Sequence, residues 1–347
     1  MKRNILYLAP NNGSDMRIHK EIKTLSKEFK VFYLGVGLEN DASHTKFFTE
    51  KSIIINGTHK SFVSIVRYIF VLIKILFKHK FVSVHVVDEQ FYLLLLPFLL
   101  NKNVILDVFD SMFLKLNKHG EKFIFFKKIV YGPPVKILVT DENRNNLMPR
   151  FVLKKTSVLP NVPYKGKYIY GNSGSGNLTI CYFGTLSRKR GSEFLNDIIK
   201  INPEIRIIAA GWVVDTYTKN LISQDNVKFL GVKSQEEVNL ILAQYGDYLL
   251  GVYPLNNLNN INASPNKIYD SIHTKTPIII NKGVKVSSFV RSNNIGYIVD
   301  DTNKDMRKIV KDLILKKNGF TFSNKLIDKY CWENFEKVLI DCHQNLK

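Results

Sequence analysis

The sequence predicts an α/β protein made of two doubly wound domains, each a parallel sheet with helices on both faces. Three observations lead there. Short apolar runs alternate with amphipathic helical segments along most of the chain, the pattern of parallel strands joined by crossover helices. The alternation breaks once, at the Gly/Ser/Asn-rich stretch GKYIYGNSGSGN (166–177), and then restarts. The chain of 347 residues is long for one compact domain, and 45% hydrophobic residues suffice for two cores.

NILYLAP (4–10) is a first strand ending in the turn residues NNGSD, and apolar residues at 18, 22, 25 and 29 then mark a helix. Further strands follow at 31–37, 82–88, 103–110 and 135–141. After the linker come strands at 178–186, 205–212, 227–231 and 248–254, with helices from Glu193, near 216–223 and from Gln235. This gives a first domain over 1–165, a linker over 166–177, a second domain over 178–330 and a terminal segment over 331–347. In such sheets ligands bind beyond the carboxyl ends of the strands, so residues there are the site candidates.

The formal net charge is +20, and residues 1–165 carry 26 Lys/Arg against 13 Asp/Glu. An anionic partner is implied, whether nucleic acid, an anionic lipid surface or substrate phosphates. Nucleic acid would call for basic residues interleaved with exposed aromatics or a recognised module, and neither is found. FVSIVRYIFVLIKILF (62–77) is apolar nearly all round but interrupted by Arg67 and Lys74 and flanked by Lys60, Lys78 and Lys80. A transmembrane span needs about 20 cleaner residues. The segment reads either as a helix lying on an anionic membrane surface or as one buried against a sheet. The three cysteines have no CxxC spacing and the start has no signal-peptide apolar core, so a cytoplasmic setting is expected, with possible peripheral contact on the inner face of the membrane.

NNINASPNKIYDSIHTKTPIII (259–280) carries the first chemistry. Ser264 as N-cap and Pro265 as first helical residue predict a helix running to about Lys275. Its amides and dipole favour an anion, and Lys267 adds a full positive charge beside Asn266, so diphosphate is the expected guest. Asp270 follows one turn later, where it can accept hydrogen bonds from a ribose. The same residues would equally form an ordinary solvated helix start. FGTLSRKRGSEF (183–194) places Gly184 at a strand end and Arg188, Lys189 and Arg190 in the loop before a helix. There backbone and cations can converge on phosphate, or simply be solvated.

The order and spacing of YFGTLSRKRG, IRIIAAG, NVKFLGVKSQEEVNLILAQYGDYLLGVYP, SPNKIYDSIHTKTPIII and YCWENFEKVL resemble the nucleotide-sugar-binding domain of GT-B glycosyltransferases, particularly the family-4 group, over most of 178–345. The resemblance implies two Rossmann-like domains facing across a cleft. It also implies a nucleoside-diphosphate sugar as co-substrate rather than a bound cofactor, and a carbohydrate acceptor; a lipid-linked acceptor would account for the basic first half and the apolar segment 62–77, and the Lys- and Asn-rich composition suits bacterial surface-polysaccharide synthesis. On the resemblance, Gly184 and Arg188 to Arg190 approach the diphosphate, Ser264, Pro265, Asn266 and Lys267 cap it, and Asp270 binds the ribose. The family's pair of glutamates seven residues apart falls on Asn262 and Asp270, and Asn262 cannot act as a carboxylate. The resemblance implies retention of anomeric configuration, and this departure bears on it. YCWENFEKVL matches the family's segment that crosses back onto the first domain, with Trp332 at the crossing.

The first half resembles the family less, at NNGSDMRIHKEIKTLSKEFKVFYL, VHVVDEQ and LDVFDSM. Should transfer invert the anomeric centre, a base must take the acceptor proton. Asp110 is the first candidate, with Asp88 and His85 next at another strand end. Asp15 and Arg17 sit on a loop that would close over the acceptor. Asp88, His85, Asp15 and Arg17 can instead cap or pair locally, a reading favoured for His85 and Arg17. No Asp-x-Asp motif and no metal-ligand spacing occurs, so no metal is expected. The rival readings are a nucleotide-sugar epimerase on the same fold, a non-catalytic nucleotide-sugar-binding protein and a nucleic-acid binder.

Overall fold

The computed structural model describes residues 2–38, 43–171, 176–300, 305–344 and 346, and the chain divides into two compact units, Met1–Asn161 with Glu333–Lys347, and Val162–Trp332. The expected linker over 166–177 lies in part, at 172–175, outside the described residues. The passage between units falls earlier, at Asn161/Val162.

In the first unit the strands are β1 (Arg3–Leu8), β2 (Phe29–Val36), β3 (Lys51–Ile55), β4 (Ser83–Val87), β5 (Val104–Val108), β6 (Lys136–Val139) and β7 (Thr156–Val158). They pair in parallel in the order β3-β2-β1-β4-β5-β6-β7. Their connections carry helices α1 (Met16–Leu25), α2 (Ser43–Lys46), α3 (Phe62–Lys78), α4 (Glu89–Leu99), α5 (Met112–Lys115), α6 (Ile124–Tyr131) and α7 (Glu142–Asn145). Central strands such as VILDV in β5 are buried at every position because helices cover both faces. The helix after β1 starts where Asp15 accepts the Arg17 amide (2.8 Å) and stops at Leu25, because Phe29 is already the first residue of β2. The segment expected at 62–77 forms α3, with Ser61 as its cap and Tyr68, Leu72 and Ile75 turned onto the sheet. Among the described residues no helix is long and apolar enough to cross a membrane.

The second unit repeats the plan. Strands β8 (Thr179–Leu186), β9 (Arg206–Val213), β10 (Val227–Phe229), β11 (Tyr248–Leu250), β12 (Ile278–Asn281) and β13 (Gly296–Val299) form a parallel sheet in the order β10-β9-β8-β11-β12-β13. Helices α8 (Ser192–Ile201), α9 (Thr216–Ile222), α10 (Gln235–Tyr245), α11 (Leu258–Ile261), α12 (Asn266–Thr274), α13 (Ser287–Ser292), α14 (Met306–Lys316) and α15 (Asn324–Lys329) connect or flank them. The entry to α10 is fixed by a reciprocal capping box between Ser234 and Glu237. In both sheets the chain reverses its direction of travel beside the first strand, the place where doubly wound folds leave a crevice.

Trp332 is fully buried, and its amide donates to the Pro163 carbonyl (2.9 Å) where the chain leaves the second unit. The chain then adds α16 (Glu336–Gln344) to the first unit, on α1. Glu336 accepts hydrogen bonds from Thr24 (3.2 Å) and Lys27 (2.5 Å) there.

Candidate functional site

At the carboxyl end of β8, Gly184 has φ +93° and faces Gly211 of β9, with φ +137°, in register. A Cβ on Gly211 would lie 1.8 Å from the Gly184 carbonyl oxygen, so only glycine permits this approach. A Cβ on Gly184 would meet nothing within 4 Å. The backbone there borders open space.

The following loop is tied down from behind. The Ser187 amide donates to the Tyr182 hydroxyl (2.8 Å) and the Arg188 amide to Asp215 (2.7 Å). The Arg188 guanidinium donates to Glu193 (2.9 Å) and lies over the Tyr217 ring, so its charge is engaged on the surface. Lys189 is exposed. Arg190 instead lies over the ring of Tyr253, whose amide and carbonyl are both held by Asn281 at the end of β12.

Helix α12 begins at Asn266, one residue later than expected. Pro265 occupies the cap position and makes no side-chain cap bond. The expectation of Ser264 as N-cap is corrected here: its hydroxyl pairs with that of Tyr269 (2.8 Å). Asn266 is exposed. Lys267 is half-buried; its Nζ donates to the Leu250 carbonyl at the end of β11 (2.8 Å) and lies 5.5 Å from the centre of the Tyr182 ring. Burial, aided by the charge of Arg190, lowers its pKa to about 7. Asn262 is buried; its Nδ2 donates to the Leu258 carbonyl (2.8 Å), while its Oδ1 has no hydrogen-bond partner among the described residues. Asp270, also buried, accepts at Oδ1 from Gln235 (2.8 Å) and Asn239 (3.0 Å) of α10.

The fold thus gathers Gly184, Arg190 and Lys267 around the ends of β8 and β11, while Arg188 is engaged by Glu193 and Tyr217, and Lys189 and Asn266 are exposed. Tyr182 and Tyr253, the aromatic supports of the two cations, were not foreseen. The signal available was that they end or precede the same strand-end segments, YFGT and GVYP.

In the first unit Asp88 follows β4 with φ +67°, a conformation a non-glycine residue adopts only under constraint. Burial, reinforced by the charge of Asp110, outweighs the backbone hydrogen bonds from Asp110 and Phe109 and raises its carboxyl pKa to about 6; its buried Oδ1 has no hydrogen-bond partner among the described residues. Glu89 beside it is fully buried; it accepts from the Tyr131 hydroxyl and the Met112 amide, and burial raises it to about 7. Asp110, the expected first base, is half exposed and paired with Arg144 (3.2 Å) and Lys115 (3.3 Å). Those two ion pairs engage both of its oxygens. Of the two carboxylates, Asp88 has the environment of a base.

Acceptor contacts do not fit Arg17 and His85. Both are buried in the interior of the unit. Arg17 donates to Glu21 (2.7 Å), to Asp107 (2.7 Å) and to the Leu159 carbonyl (2.9 Å). His85 Nε2 lies 3.3 Å from Glu21 and 3.5 Å from Asp107, and its ring stacks on Tyr7. Burial alone would lower the His85 pKa, but Asp107 and Glu21 outweigh it and raise it to about 9. His343 of α16, kept neutral by burial and by His85, bridges His85 Nδ1 (3.3 Å) and Ser83 (2.7 Å). Glu21, His85 and Asp107 are the one grouping of potential metal ligands among the described residues. Arg17 pairs with both of its carboxylates. Asp15 is exposed and serves as the α1 cap.

No protein-family model and no curated protein matches the sequence. Solved structures match over nearly the whole chain at low identity. HepE of Anabaena, in complex with UDP and glucose, has a TM-score of 0.74 at 11% identity, covering 99% of this chain and 100% of that one. Sucrose-phosphate synthase of Thermosynechococcus elongatus has 0.71 at 12%, covering 97% of each. A putative UDP-N-acetylglucosamine 2-epimerase of Listeria monocytogenes has 0.62 at 10%, covering 97% and 94%. The fold is GT-B, as the sequence resemblance implied.

Proposed function

We propose that the protein is a glycosyltransferase that takes a sugar from a nucleoside-diphosphate donor bound by the second unit and gives it to a carbohydrate acceptor. One observation carries this reading. Lys267, in the first turn of a helix whose N-terminus has no side-chain cap, is opposed by the charge of a second cation, Arg190, more than it is helped by Asp270, and it donates to a backbone carbonyl rather than to a carboxylate. Such an arrangement is relieved by a dianion. HepE, on the same fold, is solved with UDP and with UDP-glucose, which makes UDP the first nucleotide to try.

In transfer, negative charge develops on the leaving diphosphate. Protonated Lys267, Arg190 and the amides of α12 would stabilise it, and the open space beside Gly184 lets phosphate approach the backbone. Asp88, poised near pKa 6, would accept the acceptor proton. A base in that role predicts an inverted product, in contrast to the retention the family resemblance implies, and the anomeric proton coupling of the product separates the two. A lipid-diphosphate-linked acceptor would suit the basic first unit, and no metal is invoked in any step.

The test is release of UDP from UDP-sugars in the presence of a panel of carbohydrate acceptors. Turnover that disappears in Asp88→Asn while nucleotide binding persists supports the reading. The Listeria neighbour favours a second reading, epimerisation. It predicts interconversion of the nucleotide sugar with no acceptor and no net UDP release.

A further inference from the structure

Helices α3, α4 and α6 share one face of the first unit's sheet. The crossovers from β3 to β4, β4 to β5 and β5 to β6 all step the same way along the strand order. Right-handed crossovers in one direction place their helices on one side. Their inner residues confirm it by joining a single core: Tyr68 and Leu72 of α3, Tyr92 and Leu95 of α4, and Val130 and Tyr131 of α6.

The outer side of this helical layer lacks the polar stripe of a solvated helix. On α3, Phe62, Val66, Phe70 and Phe77 recur at helical spacing on the solvent side, and Phe62 and Phe77 are 82% and 89% exposed. The charges among them, Arg67, Lys74 and Lys78, are exposed and all positive. On α4, Leu93 and Leu94 face outward, and its one charged residue, Glu89, is buried. On α6, Phe125 and Phe126 meet edge to face at 5.7 Å while both stay more than half exposed, with Lys122 and Lys128 beside them. Across residues 62–131 the exposed carboxylates are Glu121 and Asp110, and the latter is paired with Arg144 and Lys115.

We infer that this three-helix face docks on a lipid surface with anionic headgroups, and that Phe125 and Phe126 of α6 enter the acyl boundary together with the α3 phenylalanines. The charge pattern selects this occupant. A second copy of the chain docked by the same face would set Arg67, Lys74, Lys78, Lys122 and Lys128 against themselves, whereas anionic headgroups would neutralise them above a hydrocarbon layer that receives the rings. The sequence pointed to 62–77 alone; α6 enters the surface only because the fold lays it in the same layer. The inference extends the lipid-linked acceptor reading and rests on it for its purpose, but docking needs neither donor nor acceptor.

The experiment is flotation of the full chain with vesicles of phosphatidylcholine alone or mixed with phosphatidylglycerol. Binding is expected only to the mixture. Phe125→Ser with Phe126→Ser should lower the partition by on the order of tenfold per ring. Arg67→Ser with Lys74→Ser should lower it by about fivefold per charge. Both variants alter exposed side chains and should melt as the parent does, with any stabilisation by UDP unchanged. Loss of flotation with UDP binding intact therefore bears on docking alone, and loss of UDP binding with flotation intact bears on the donor reading alone. No flotation with the mixture, or flotation unaffected by the phenylalanine changes, overturns the inference. So does self-association in sedimentation that the same changes disperse.

Discussion

In the first unit Arg17, Glu21, His85 and Asp107 close their charges on one another inside the fold. In the second unit Lys267 has an aromatic face and a neighbouring cation, and it donates to a backbone carbonyl rather than to a carboxylate. The difference separates charge that serves folding from charge that awaits a ligand. A buried ion pair with every partner in place offers nothing to an incoming group, and it is costly to break. A cation held away from carboxylates gains most when an anion arrives. By this criterion Arg17 and His85 leave the list of acceptor contacts, and Lys267 and Arg190 stay on the donor list.

The sharpest way to break the comparison is Arg17→Met. Removing the guanidinium strands Glu21 and Asp107 in the interior, so denaturant unfolding should show a loss of about 3–5 kcal/mol. Stabilisation of the second unit by nucleotide should survive in the folded fraction. A loss under about 1 kcal/mol would mean the network is not what holds this sheet.

Next in size is a pH dependence of opposite sign in the two regions. His85 has its pKa raised to about 9, so its stabilisation is fully present below its unfolded value of about 6.5 and is lost as pH rises through 9. Lys267 has its pKa lowered to about 7, so its contribution is full above its unfolded value of about 10.4 and is lost as pH falls through 7. Between pH 7 and 9 the two oppose each other. Thermal melts of Lys267→Met should therefore fall more steeply over that window than the parent, and melts of His85→Gln should rise.

Smaller still is the proton count on binding. A diphosphate should restore the charge on Lys267, so calorimetry at pH 8 in buffers of differing ionisation enthalpy should show proton uptake, absent in Lys267→Met. The smallest expected effect is that of Gly184→Ala. Its Cβ would enter open space at a φ of +93°, adding roughly 1–2 kcal/mol of backbone strain, and nucleotide affinity should fall by severalfold with little change in the shape of the melting curve.

The fold was legible because strand after strand is a short apolar run bounded by turn residues, and because YFGTLSRKRG and SPNKIYD keep their order. β3, β7 and β13 were not seen, since KSIII, TSV and GYIV are largely half-buried edge strands with little pattern, and the buried IIIN of β12 was not singled out as a strand. The donor cations were legible as types but not as individuals. Nothing in SRKR distinguishes Arg190, stacked on Tyr253, from Arg188, which a glutamate five residues on draws to the surface. The Ser264 cap failed because a tyrosine hydroxyl five residues later competes for it. Arg17 and His85 read as site residues because one sits in the sequence on the loop after the first strand and the other at a strand end. The Arg17–Glu21 pair is one helical turn apart on α1, but Asp107 and His343 come from other elements, and only the folded sheet brings them to Arg17 and His85.

The measurement that tests the central claim most directly is a titration of UDP and GDP into the parent and into Lys267→Ala, followed by thermal unfolding and calorimetry. The account predicts saturable stabilisation of the parent by one nucleotide and its loss in Lys267→Ala, with the variant's fold otherwise unchanged. Nucleotide binding of equal strength in both proteins would place the anion elsewhere and contradict the assignment of the α12 N-terminus as the diphosphate site.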